Sequence, residues 1–243
     1  MGIPHYLAMT AAEFRSAEAL PPSPAWMACH FSPYGTGLSN LPRTLPEGSL
    51  LVLDDITPIC GHDPNVIEAQ LSLCVEARKC RGVLLDFQRE GYEETAALAA
   101  HLTSTLPFPV CVTAGYGKEL TCPVLLPPVP CDVSLKDYLA PWQGREIWLE
   151  TALDGTEIVL TEDGASSHPL PHPQPPENGF LEETLHCHYR IETRKDTAIF
   201  TLWRSREDLE TLLAEAEALG VTLAVGLYQE LGTQNESDSP VPE

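Results

Sequence analysis

Carboxylates and aromatic rings recur where the apolar runs of this chain end. Asp54 and Asp55 follow SLLVLD, and Asp86, Gln88 and Glu90 follow GVLLDF. Glu150 closes EIWLE, and Tyr228 and Glu230 follow the last apolar run. Tyr116 and Trp203 close two further segments, and His30 ends another. Carboxyl groups in pairs perform acid–base work on a glycosidic bond, and aromatic faces hold sugar rings. The set assigns Asp86, Gln88, Glu90 and Glu150 to the reacting position. Asp55, Tyr116, Trp203, Tyr228 and Glu230 are assigned to substrate.

The elements that position these residues alternate. Ala25 to Phe31, Ser49 to Asp54, Gly82 to Phe87, Pro109 to Thr113, Pro123 to Leu126 and Glu146 to Glu150 read as buried strands. Near-continuous apolar strands of this kind belong to parallel sheets covered by helices. Thr10 to Ala19, Asn65 to Cys80, Tyr92 to Leu106 and Ser134 to Leu139 read as helices. Thr10 and Glu13 have capping-box spacing. Alternating strand and helix is the pattern of βαβ units. With no Gly-rich phosphate turn after the first strand, the expected fold is an α/β barrel of the (β/α)8 TIM type.

After Thr151 the pattern changes. Glu157 to Thr161, Leu185 to Glu192 and Thr197 to Trp203 alternate in character, with the turn Thr193 to Asp196 between the last two. This predicts an antiparallel hairpin insertion in the C-terminal third. Gly164 to Gly179 holds five prolines and reads as an exposed loop. Arg206 to Leu219, capped by Ser205, is the clearest helix, and Val221 to Leu227 the last strand. Seven to nine strands are expected within one domain over residues 1–232, with residues 233–243 a disordered tail.

The segment Arg81 to Gln88 resembles the strand-four motif of chitinase-like (family 18) glycoside hydrolases, which are (β/α)8 barrels. Their pattern is aspartate, glycine, an apolar residue, aspartate, an apolar residue, aspartate, an aromatic residue and glutamate. Gly82, Asp86 and Phe87 match it. Arg81 and Leu84 replace the first two aspartates, and Gln88 replaces the glutamate acid. A glutamine cannot hand a proton to a leaving group as a carboxylic acid does. The resemblance therefore implies a carbohydrate-active or carbohydrate-binding barrel, inactive as a hydrolase if no other group replaces the acid. The resemblance spans about eight residues. The segment also lies on the third strand counted here, not the fourth.

Two alternatives stand beside it. One is a non-catalytic scaffold or interaction protein on a barrel. The other is a metal-dependent hydrolase built on His186 and His188, which share a face if both lie on one strand. His168 and His172 lie close in sequence, but the spacing matches no zinc signature, so no metal ligand is assigned and no cofactor is expected.

Composition narrows the partners. Against 14 Lys+Arg stand 35 Asp+Glu, for a formal net charge of −21. Such a field repels nucleic acid and anionic membrane surfaces, so neither is an expected partner, and carbohydrate is. The N-terminal residues lack the pattern of a secretory signal, and a cytoplasmic location is expected. Eight cysteines include no CxxC pair, and several sit in apolar runs as small hydrophobes. Oligomeric state has no signature in the sequence.

Overall fold

The computed structural model describes residues 2–59, 61–89, 91–171, 173 and 179–232. The expected tail, residues 233–243, lies outside them, as do Cys60, Glu90 and His172.

The chain opens on β1 (His5–Met9), a strand not among those expected, just before the helix expected from Thr10. The helix follows as α1 (Ala11–Ser16), with the Thr10–Glu13 capping box formed in both directions. Next come β2 (Pro24–Phe31), the short β3 (Leu38–Ser39) and β4 (Leu50–Asp54). Helix α2 (Pro64–Arg78) starts on the Asp63 side chain with Pro64 in its first turn, where a proline costs no hydrogen bond. Then follow β5 (Gly82–Asp86), α3 (Glu93–Thr105), β6 (Val110–Thr113), α4 (Ala114–Gly117), β7 (Val124–Leu126), α5 (Leu135–Leu139) and β8 (Ile147–Thr151).

Five strands are inserted here: β9 (Gly155–Thr161), β10 (Gly164–Leu170), β11 (Phe180–Glu182), β12 (Cys187–Arg194) and β13 (Thr197–Trp203). The barrel resumes with α6 (Arg206–Ala218) and β14 (Val221–Leu227), and α7 (Tyr228–Leu231) follows.

Among the described residues, eight parallel strands close a barrel in the order β1, β2, β4, β5, β6, β7, β8, β14, with β14 returning to β1. The (β/α)8 expectation is met. The strand count changes, and with it the place of the motif. Since β1 precedes the strand taken as first, Gly82–Asp86 is the fourth barrel strand, not the third.

The insertion forms an antiparallel sheet in the order β10-β9-β13-β12-β11. The hairpin β12–β13 is as expected, but Gly164 to Leu170 is not a loop. It pairs along its length with β9 as an edge strand. An edge tolerates Pro169, whose missing N–H leaves no interior ladder bond unmade.

Packing follows the strand period of two. One side chain set, including Ala8, Leu50, Val52, Leu84, Cys111, Leu125, Trp148 and Val225, fills the barrel interior. The alternate set on β2, β4, β5 and β6 packs under α2 and α3. Another outer cluster joins β7, β8 and β14 to α5 and α6. Gly82 is required by a close approach: a Cβ there would stand 2.4 Å from the Pro109 carbonyl oxygen. No helix among the described residues is long and apolar enough to cross a membrane.

Candidate functional site at the carboxyl ends of the barrel strands

The same alternation that fills the interior selects the residues that cap it. Leu50 and Val52 point inward, so Asp54 does too. Leu84 is followed by Asp86, Cys111 by Thr113, and Trp148 by Glu150. Strand register places His30 beside Asp54, and Asp54 beside Asp86. A polar layer thus lies on the apolar interior at the carboxyl ends of the strands, where barrels of this type carry their functional groups.

At the end of β5 the Gln88 amide donates to Asp86 Oδ1. Asp86 is raised from its ordinary value by burial, which the Gln88 bond partly offsets, and Asp55 adds a repulsive charge. Asp54 is raised chiefly by burial as well, with Asp86 and Asp55 adding repulsion against the helpful Ile56 amide and His30. A cavity of about 280 Å³ opens beside this pair, lined by Phe87, Gln88, Thr113, Tyr116, Leu125 and Glu150 among others. That volume is at the small end for a ligand pocket.

Glu150 is the most perturbed carboxyl of the layer. Burial first, then repulsion by Asp86, Asp154 and Glu230, pushes it up to about 7. Its carboxyl makes no ion pair among the described residues. A carboxyl with that value is part protonated near neutrality and can release a proton to a leaving group.

Other assigned residues have different surroundings. Asp55 is 3% exposed, and its two oxygens accept from the backbone amides of Gln88 (2.9 Å) and Arg89 (3.0 Å). Adjacent to Asp54, it has the opposite parity, and its carboxylate holds the loop after β5. Tyr116 donates to the Arg89 carbonyl and sets its ring edge-on to Phe87, centroids 6.1 Å apart. Glu230 accepts from the Leu153 amide and so joins α7 to the segment after β8. Tyr228 starts α7, half-buried, with its ring against Gly232.

Trp203 does not join the cluster. It is 3% exposed in the inserted sheet, stacked on His188 at 5.9 Å. Glu90 lies outside the described residues.

His186 and His188 line one cavity, but each is paired with a different carboxylate. His186 lies in the turn before β12 at a positive φ of 47°, so the strand geometry that would align it with His188 is absent. His186 pairs with Glu215, and His188 Nδ1 with Asp208 Oδ2 at 2.8 Å. Both carboxylates belong to α6. His168 is exposed on β10. Among the described residues no group of three or more His, Cys, Asp or Glu is arranged to hold a metal ion.

The sequence reading missed two members of the site. Asp154, four residues past Glu150, acts on it electrostatically from the crossing into β9. Thr113 donates to the Phe87 carbonyl at 2.7 Å and ties β6 to the end of β5. Thr113 was legible as the last residue of an apolar strand; Asp154 carried no such mark.

No protein-family model matches the chain, and no curated protein matches it in sequence. Solved structures do share its architecture. A chitinase from Chromobacterium violaceum matches with a TM-score of 0.57 at 10% identity, over 96% of this chain and 96% of that one. In fold the chain is similar to solved chitinases. A mutant family 18 chitinase from Cycas revoluta, in complex with (GlcNAc)4, matches with a TM-score of 0.54 at 11% identity, over 92% and 94%. The spore cortex-lytic enzyme SleL of Bacillus cereus matches with a TM-score of 0.55 at 11% identity, over 92% of this chain and 70% of that one. Gly82–Asp86 is the fourth barrel strand, the strand that carries the motif which this segment resembles.

Proposed function

We propose that the barrel binds oligosaccharides containing N-acetylglucosamine at its carboxyl-end mouth, and that it does not cleave them with residue 88 as the proton donor. The observation that carries this reading is the Asp86–Gln88 pair at the end of the fourth barrel strand. Gln88 keeps the hydrogen bond to Asp86 that a protonated glutamate at that position would make, but its amide has no proton to release. The Cycas revoluta chitinase that shares the fold was seen with (GlcNAc)4, which supports this ligand class.

Glu150 favours a second reading within the same class. Its carboxyl, at about 7, lines the cavity beside Gln88 and is suited to general acid work. Under that reading the protein is a glycosidase with a displaced acid.

Calorimetric titration with N-acetylchitotetraose tests the first reading, and product analysis of the same mixture tests the second. Binding without cleavage supports an oligosaccharide-binding barrel. Cleavage lost in Glu150→Gln supports the displaced acid. In Gln88→Glu, a gain of cleavage supports descent from the hydrolase arrangement. Absence of binding to this and other oligosaccharides refutes both readings and leaves the scaffold alternative.

A further inference from the structure

The insertion meets the barrel at two thiols. Cys131 lies in the loop between β7 and α5, and Cys187 starts β12. Both are interior residues, 2% and 0% exposed, packed together with Leu202. The Cys187 thiol lies 3.5 Å from the Cys131 carbonyl oxygen, which sets the two side chains next to each other in this cluster. Cys131 Sγ is also 3.5 Å from the Asp154 carbonyl.

Arg204 occupies the same junction, 6% exposed. Its guanidinium donates to the carbonyls of Val129, Pro130, Leu185 and His186, and no carboxylate pairs with it among the described residues. A buried cation without a counter-ion favours any anion that forms nearby. The Cys187 hydrogen bond and the Arg204 charge hold Cys131 below the usual thiol value, against the opposing effect of burial. Burial raises Cys29, Cys74, Cys80, Cys111 and Cys122, and Cys187 is raised first by its bond to Cys131. Cys131 is therefore the one described cysteine whose thiol is drawn towards the ionised form, and it lines a cavity of about 370 Å³ together with Asp132, Asp154 and Ser167.

We propose that Cys131 and Cys187 are a redox-active dithiol, which hydrogen peroxide converts to an intramolecular disulfide joining the inserted sheet to the barrel loop. The Cys131 thiolate attacks one peroxide oxygen. The O–O bond breaks, leaving a sulfenic acid on Cys131 and a hydroxide that takes a proton from solvent to become water. The Cys187 sulfur then attacks the Cys131 sulfur, the S–O bond breaks, and the departing hydroxyl takes the Cys187 proton and leaves as a second water. The two thiols lose two electrons and peroxide gains them. The bond closes a loop between positions 56 apart, so the oxidised form unfolds at a higher temperature.

The test is peroxide treatment of the reduced full chain, alkylation of the remaining thiols, and peptide mapping by mass spectrometry. The expected result is one linked peptide pair, Cys131 with Cys187, and a rise of several degrees in the unfolding midpoint that dithiothreitol reverses. In Cys131→Ser, Cys187 stays alkylatable and the rise is lost. Recovery of Cys131 as sulfinic acid with Cys187 still free overturns the proposal. So does a linked pair that omits either residue. If the variant does not fold, the wild-type map decides alone.

Discussion

Replacing Glu150 with glutamine should make the protein more stable above neutrality and leave it unchanged in acid. Glu150 moves from an ordinary 4.5 to about 7 on folding, so the folded state binds its proton more tightly than the unfolded chain does. Below 4.5 both states are protonated, and the residue contributes no pH dependence. Between 4.5 and about 7 the unfolded state ionises first, and stability falls as pH rises. Above about 7 the full cost is present. At about 1.4 kcal/mol per decade the displacement amounts to roughly 3 kcal/mol, and part exposure of the side chain reduces this to about 2 kcal/mol. For a chain of this size that is roughly 4–8 °C in the unfolding midpoint. Urea unfolding of both proteins across this pH range measures it. The many other carboxylates titrate in both proteins, so the difference between them isolates residue 150. A gap that stays constant with pH would refute the argument, because it would mean that Glu150 titrates alike in the folded and unfolded states.

Three other perturbations address contacts that brace the barrel and its insertion. Asp55→Ala leaves the amides of Gln88 and Arg89 without their acceptor and should cost about 2–3 kcal/mol in urea unfolding. Gly82→Ala drives a methyl into the Pro109 carbonyl and should cost about 1–3 kcal/mol, seen as a lower unfolding midpoint with no change in the urea dependence. Arg204→Met removes four donated hydrogen bonds at the junction of barrel and insertion. It should slow peroxide oxidation of Cys131 in a stopped-flow assay and raise the pH at which that thiol reacts.

How much the sequence revealed depended on where each signal came from. Leu50–Asp54 and Gly82–Asp86 announce themselves because a strand covered on both faces must be apolar throughout. β1 did not, since HYLAM is five residues long and runs into a strong capping box at Thr10. What makes it a strand is its position between β14 and β2, a tertiary fact. That omission moved the Asp86 motif one strand out of place. β10 was hidden for a related reason: GASSHPL is polar and contains a proline, and only pairing with β9 makes it regular. In the site, Asp86, Gln88 and Glu150 were legible as strand ends. Asp55 was chosen by its type and its place after SLLVLD, although its parity relative to Asp54 already placed it outside the interior layer. Trp203 likewise closes an apolar strand, but that strand belongs to the insertion.

The charged groups at this end of the barrel divide into two kinds. Arg206 donates to the carbonyls of Glu230 and Leu231. Arg204 does the same at the junction, while Asp55 and Glu230 accept from backbone amides. These bonds are charge-assisted and hold loops that have no helix or sheet of their own to satisfy them. Because the arginines are committed to carbonyls, none neutralises Asp86 or Glu150 by an ion pair among the described residues. The mouth keeps an acidic surplus, and burial with mutual repulsion raises Asp54, Asp86 and Glu150 above their ordinary values. A glutamate at position 88 would enlarge that surplus in the cavity it shares with Glu150, so Gln88 is also the neutral choice there. Gln88→Glu should therefore raise the pH midpoint of Glu150 further, and carbon-13 NMR of labelled glutamate side chains reads that change directly. A midpoint that stays put would mean that residue 88 is electrostatically remote from Glu150, and the shared-cavity argument would fall.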